Sequence, residues 1–255
     1  MKKWNIIITI LLFVLAMICF IFFDIRRITI LEDPLANKLL CGVISRVGLA
    51  LLFGWLLYQY GGYNFMIFTR EFPKLLLWSL PCFMVALVNF PFSSLISGEA
   101  HIYRMDLMGL YIGYVFAISL LEELIFRGSL LLLVNDFLRG KKHYFIWMTL
   151  ICALLFSLFH LTNLFEGMGI TDVLLQCAYT FLIGAMLTVV MLKTKNIWLC
   201  VLIHALFDFG GLLIIQIGYG NAWDLVFWIL TITSGVLCAG HIIYTLIKLE
   251  KTYVS

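Results

Sequence analysis

Long apolar runs separated by short polar punctuation dominate the chain. Runs long enough to cross about 30 Å of hydrocarbon, roughly 20 residues each, fall at 5–23, 39–60, 74–96, 109–134, 144–162, 173–192, 197–217 and 223–247. The pattern predicts an all-α, polytopic integral membrane bundle of about eight transmembrane helices. Turn and charge signals stand between the runs. Gly61-Gly62, Arg139-Gly140-Lys141-Lys142 and Gly218-Tyr219-Gly220 each read as a loop. Pro81 and Pro91 lie inside the third run and are expected to kink it.

Composition agrees with this picture. Of 255 residues, 64% are hydrophobic and 12% charged, and the mean hydropathy is +1.07, outside the range of ordinary soluble domains. We expect a single membrane domain over residues 1–255. Lys2-Lys3 ahead of the first run imitates a signal peptide. That run is longer than the usual apolar region and lacks a small-x-small cleavage site before Asp24, so it reads as a retained helix. Basic residues favour one side. Lys2, Lys3, Arg70, Lys74, Arg139, Lys141, Lys142, Lys193, Lys195, Lys248 and Lys251 fall together, against Arg26, Arg27, Lys38 and Arg104 opposite. The bias predicts a multi-pass protein of the cell membrane with both termini cytoplasmic. With the basic residues in loops, the net charge of +3 implies no nucleic-acid partner. The seven cysteines are scattered singly with no Cys-x-x-Cys pair. They read as small buried apolar groups, not as disulfides or zinc ligands.

Three polar constellations interrupt this apolar background. The first is Glu122-Glu123 with Arg127, inside the fourth run. Charges at membrane depth cost enough to demand a partner or a cavity. Glu123 and Arg127 are four residues apart and share a helix face, whereas Glu122 is turned about 100° away and is left to point elsewhere. The second is His160 with Asn163, at the end of the fifth run. The third is His204 and Asp208, one turn apart in the seventh run. Straight helices rising about 1.5 Å per residue from Asp136, Phe145 and Ile197 put Glu122 about 21 Å, His160 about 22 Å, His204 about 11 Å and Asp208 about 17 Å from the inner face. Groups at such depths on three helices can form one site. The chemistry open to them is hydrolysis: Glu122 with His160 polarises a water, and His204 with the residue one turn later faces the oxyanion of a tetrahedral intermediate. There is no Gly-x-Ser-x-Gly elbow, which leaves water as the economical nucleophile.

Glu-Glu-x-x-x-Arg at 122–127, Phe-x-x-x-His at 156–160 and His-x-x-x-Asp at 204–208 resemble, in order, the motifs of the CPBP (Abi) family of intramembrane glutamic endopeptidases. That family includes the type II CAAX prenyl endopeptidases and bacterial bacteriocin-processing or self-immunity proteins. The resemblance centres on a motif-bearing core at residues 105–217. It implies that Glu122 activates water with His160, that Glu123, Arg127 and Asn163 are supports, and that His204 and Asp208 face the oxyanion. It also implies that no cofactor or metal is needed, and that the partners are membrane lipid and a peptide or lipidated-protein substrate. Asp208 departs from the pattern, because the family usually has Asn there. An ionised aspartate cannot donate to an oxyanion. Asp208 is therefore a protonated donor, or a holder of imidazolium at His204, or a sign that activity is altered or lost.

Two other readings fit the same residues. A metal-dependent membrane hydrolase would use Glu122, His160, His204 and Asp208 as ligands. A non-catalytic immunity or regulatory scaffold would use the cluster only to hold helices together. Substrate identity and oligomeric state are not legible in the sequence.

Overall fold

The computed structural model describes residues 28–59, 62–68 and 70–254. The first apolar run, with Lys2, Lys3, Cys19, Arg26 and Arg27, lies outside the described residues. The chain forms helices α1 (Pro34–Gln59), α2 (Phe72–Trp78), α3 (Leu80–Val88), α4 (Phe92–Ser97), α5 (Met108–Glu123), α6 (Leu131–Leu138), α7 (Tyr144–Phe159), α8 (Ile170–Thr194), α9 (Ile197–Ile217) and α10 (Leu225–Val254). Two short strands, β1 (Ala100–Ile102) and β2 (Gly218–Gly220), complete it.

Among the described residues six helical spans are long and apolar enough to cross a membrane: Pro34–Gln59, Leu80–Ser97, Tyr144–Phe165, Ile170–Thr194, Ile197–Ile217 and Leu225–Thr252. The run at 109–134 is also helical throughout, but it is divided. Between α5 and α6 the segment Leu124–Leu130 is wound as a π-helix, a local widening found often at functional sites. The protein is thus an all-α polytopic membrane bundle. The proline expectations are met: Pro81 opens α3 in its first turn, and Pro91 is the N-cap of α4 after a break at Asn89-Phe90.

One expected loop is a strand. Gly218-Tyr219-Gly220 pairs antiparallel with β1, Ala100 opposite Gly220 and Ile102 opposite Gly218. The pairing depends on glycine at 220, where φ is +105° and a Cβ would overlap the Glu99 carbonyl. Three residues are too few for a pattern of alternation to show in the sequence.

In lipid, helix packing comes from close fit and polar contacts more than from hydrophobic driving force, and the close approaches here are made at glycines. A Cβ at Gly42 would overlap the Tyr114 ring, and one at Gly184 would sit 3.0 Å from Phe156 and 3.2 Å from the Ala153 Cα. At Gly210 it would sit 2.6 Å from the Phe90 backbone. These contacts seat α1 on α5, α8 on α7, and the α3–α4 break on α9. Two apolar clusters result, one around Phe53, Leu57, Phe126, Phe156, Leu187 and Leu199, the other around Leu39, Tyr111, Leu213 and Ile217. Glu122 and His204 lie where the two clusters meet.

The two ends of the bundle differ in charge. At one end Asn196 caps α9 by accepting from Leu199 N (3.2 Å) and donates to Ile67 O (3.3 Å). Trp198 Nε1 donates to Met66 O (2.9 Å), and Ile146 N donates to Glu250 Oε1 (2.8 Å). These bonds gather the segments carrying Arg70, Lys74, Arg139, Lys141, Lys142, Lys193, Lys195, Lys248 and Lys251. At the other end Arg104 bridges Asp33 and Asp106, each at 2.9 Å. Asp33 also accepts from Ala36 N (2.7 Å). That amide, with Arg104, holds the Asp33 carboxyl below its usual range, so the help this cap gives is present near neutrality and fades as pH falls through the lowered value.

Candidate active site

The π-wound segment fixes the first constellation. Arg127 Nη1 donates to Glu123 Oε1 at 2.7 Å, and both side chains are wholly buried. The guanidinium continues outward: Nη2 donates to Gly184 O at 3.1 Å, and the cation lies 4.4 Å over the Phe156 ring. Glycine at 184 is what brings α8 close enough to present that carbonyl. Arg127 thereby ties α5, α7 and α8 together at one level.

Glu123 has a second partner. His204 Nδ1 donates to the same Oε1 at 2.8 Å, across 81 positions of sequence. Because Nδ1 gives its proton to this carboxylate, the other ring nitrogen is the one turned to the remaining acids. His204 Nε2 is 3.8 Å from Glu122 Oε2 and 3.5 Å from Asp208 Oδ2. Both distances exceed a normal hydrogen bond. Glu122 Oε2 accepts from no donor among the described residues. Exposure separates the acids as well. Glu123 is 0% exposed at its side chain, while Glu122 is 16% and Asp208 18%. One carboxylate is sealed into the structure and two are partly exposed.

His160 lies to one side. Its Nδ1 donates to Phe156 O at 2.9 Å on its own helix. The rings of His160 and His204 meet the same Phe156 ring edge-on, with centroids 5.0 and 5.7 Å away. The structure thus brings Glu122, Glu123, Arg127, His204 and Asp208 together. It links His160 to them through Phe156, with no ion pair to Glu122 among the described residues. Asn163 donates to Gln176 Oε1 (2.7 Å) and joins the end of α7 to α8. Among the described residues no three His, Cys, Asp or Glu side chains are grouped so as to hold a metal ion.

The depths expected from straight helices need correction. They separate Glu122 from His204 by about 10 Å, yet His204 bonds the residue next to Glu122. Those depths hold only for helices that all start at one level. The α5–α6 stretch instead runs on well past the level where α9 begins.

The α9 backbone beside Asp208 is held from two sides. Asn89 Nδ2 donates to Phe207 O (2.7 Å) and Tyr111 OH to Phe209 O (2.6 Å). Sequence reading passed over Asn89, Tyr111 and Gly184, none of which carries a charge. Arg46 was also passed over, although an arginine inside the run 39–60 is signal enough. It donates to Gly42 O (3.3 Å) and lies 5.0 Å over the Tyr114 ring.

With this geometry in view, comparison with known proteins is informative. The family model described as "Type II CAAX prenyl endopeptidase Rce1-like" matches residues 76–210, more than half of the chain. The match contains all three constellations. No curated protein and no solved structure matches the chain.

Proposed function

The chain belongs to the Rce1-like family of type II CAAX prenyl endopeptidases, and on that premise we propose that it hydrolyses a peptide bond in a membrane-associated peptide or lipidated protein by water activated at Glu122. The family is one of intramembrane proteases, which matches a multi-pass bundle with a polar cluster inside it. The observation that carries the finer reading is the division of labour between two adjacent acids. Oε1 of the sealed Glu123 is committed to both Arg127 and His204, while Glu122 stays partly exposed and 3.8 Å from His204 Nε2; Oε2 of each acid accepts from no donor among the described residues.

The steps follow from these positions. Glu122 accepts a proton from water as the water oxygen attacks the scissile carbonyl carbon. The carbonyl π electrons move to oxygen, and His204, held by Glu123 through Nδ1–H and protonated at both ring nitrogens, donates from Nε2 to that oxyanion. The tetrahedral intermediate collapses, the C–N bond breaks, and the leaving amine takes the proton from Glu122. His160, whose Nδ1 is committed to Phe156 O, offers Nε2 to the same water. Glu123 and Arg127 position His204, and Asn163 steadies the end of α7. We place the catalytic core at 105–217, and the basic end of the bundle with both termini in the cytoplasm.

Asp208 decides between two versions of the oxyanion side. The assay is cleavage of a lipidated peptide by purified protein in proteoliposomes with a strong chelator present. Wild type is expected to cut at one site. Asp208→Ala is expected to lower turnover by about 10²–10³-fold, the range for losing an oxyanion donor. If Asp208 donates as a protonated acid, Asp208→Asn works at least as well and stays active to higher pH, because the amide cannot ionise. If Asp208 holds His204 as imidazolium, Asp208→Asn is nearly as damaging as Ala. Equal cleavage by all three proteins would remove Asp208 from the site. Activity lost to the chelator and restored by zinc would favour the metal-dependent reading.

A further inference from the structure

Three cysteines are disposed as buried thiols usually are. The Sγ atoms of Cys41, Cys177 and Cys200 turn to the backbone carbonyls of Ile28, Ser157 and Leu187, at 3.6, 3.3 and 3.6 Å. A thiol is a weak donor, and a carbonyl satisfies it. Cys238 on α10 is different. Its Sγ lies 3.8 Å from Cys82 Sγ on α3 and 3.6 Å from Met186 Sδ on α8. Three sulfurs from three helices meet at one point, and all three residues are buried.

Close packing of small apolar groups does not require sulfur to face sulfur, whereas binding of a soft cation does. Thiolate and thioether donors select monovalent copper. A metal held by three sulfurs at about 2.3 Å, in a flat three-fold arrangement, keeps those sulfurs about 4 Å apart. The two edges that share Cys238 Sγ, at 3.8 and 3.6 Å, lie close to that spacing. Two thiols and a thioether are also a different set from a zinc cluster of His, Cys, Asp and Glu, of which there is none among the described residues. The frame around the sulfurs is held one turn away, where the rings of Trp78 and His241 are 4.8 Å apart. His241 Nε2 is buried and has no hydrogen-bond partner among the described residues. Copper entry releases the two thiol protons. One can pass to this imidazole, offsetting the net negative charge of two thiolates and one Cu(I), and the other leaves to the buffer.

We propose that Cys82, Cys238 and Met186 form a binding site for monovalent copper, with two thiolates and one thioether supplied by α3, α10 and α8. The site is separate from the hydrolytic centre and does not depend on the peptidase reading. Met186 stands two residues from Gly184, whose carbonyl receives Arg127 at 3.1 Å. A bound ion therefore clips α3 and α10 to the helix that anchors the Glu123–Arg127 pair. It stabilises the folded bundle, because the unfolded chain does not assemble the three donors.

The test titrates the reduced full-length protein in detergent, without oxygen, with Cu(I) supplied as its coloured bicinchoninate complex. Wild type is expected to withdraw one Cu(I) per chain. X-ray absorption at the copper edge is expected to show three sulfur neighbours at about 2.3 Å and no nitrogen or oxygen. Met186→Leu, a volume-conserving exchange, is expected to leave two sulfur neighbours and to weaken binding by at least about 10–100-fold, the cost of disturbing even an outer partner of a metal ligand. Cys82→Ala and Cys238→Ala are expected to withdraw none, and Cys41→Ala and Cys152→Ala to match wild type. Copper is expected to raise the thermal unfolding midpoint of wild type and to leave that of Cys238→Ala unchanged. The site falls if wild type leaves the copper with bicinchoninate, if nitrogen or oxygen neighbours appear, or if Cys238→Ala binds as wild type does. Should the Cys82 and Cys238 variants fail to fold, the wild-type spectrum and Met186→Leu still decide the matter.

Discussion

Glu122→Gln lowers cleavage by about 10²–10⁴-fold, the contribution of a general base, while membrane expression and thermal stability stay close to wild type. The amide is nearly the same size as the carboxylate and keeps an acceptor, but it cannot take a proton from water. Stability is spared because Glu122 Oε2 accepts from no donor among the described residues and its contact with His204 is 3.8 Å, too long to support the fold. The check is initial-rate cleavage in proteoliposomes beside thermal unfolding of the same preparation. Full activity in the folded variant would end the glutamate-base account. A scaffold function unchanged by the substitution would favour the non-catalytic reading.

The second large effect is on stability. Arg127→Leu is expected to destabilise the protein by about 3–5 kcal/mol, the cost of leaving one member of a buried ion pair behind. Arg127 is buried with Glu123 at 2.7 Å, and its loss also strips Gly184 O of a donor and removes the cation over Phe156. Three helices lose their common tie at once. Chemical denaturation in detergent, with Glu122→Gln as the control, measures the difference. A loss of less than about 1 kcal/mol would mean that the pair does not hold the site together.

The sequence is informative wherever a signal repeats or is isolated. Apolar runs of about 20 residues repeat down the chain and mark the bundle, and Pro81 and Pro91 announce their own breaks. The three constellations stand out because charge is scarce in lipid. What joins them does not. The bond between Glu123 and His204 links residues 81 positions apart, and no local pattern encodes it. Sequence spacing pairs Glu123 with Arg127 and His204 with Asp208, and only the assembled helices show one carboxylate, Glu123, serving both Arg127 and His204. The π-helix at Leu124–Leu130 has no composition of its own, and depths counted along straight helices misjudged how the ends are staggered.

The most direct test of the central claim, that Glu122 delivers water instead of attacking the substrate itself, is a single-turnover reaction in ¹⁸O-water. With purified wild type in excess over peptide, the account predicts one ¹⁸O in the new C-terminal carboxylate of every product molecule from the first turnover, and none in the protein. Unlabelled product from that first turnover, with ¹⁸O carried on the Glu122 side chain, would show an acyl-glutamate intermediate and contradict it.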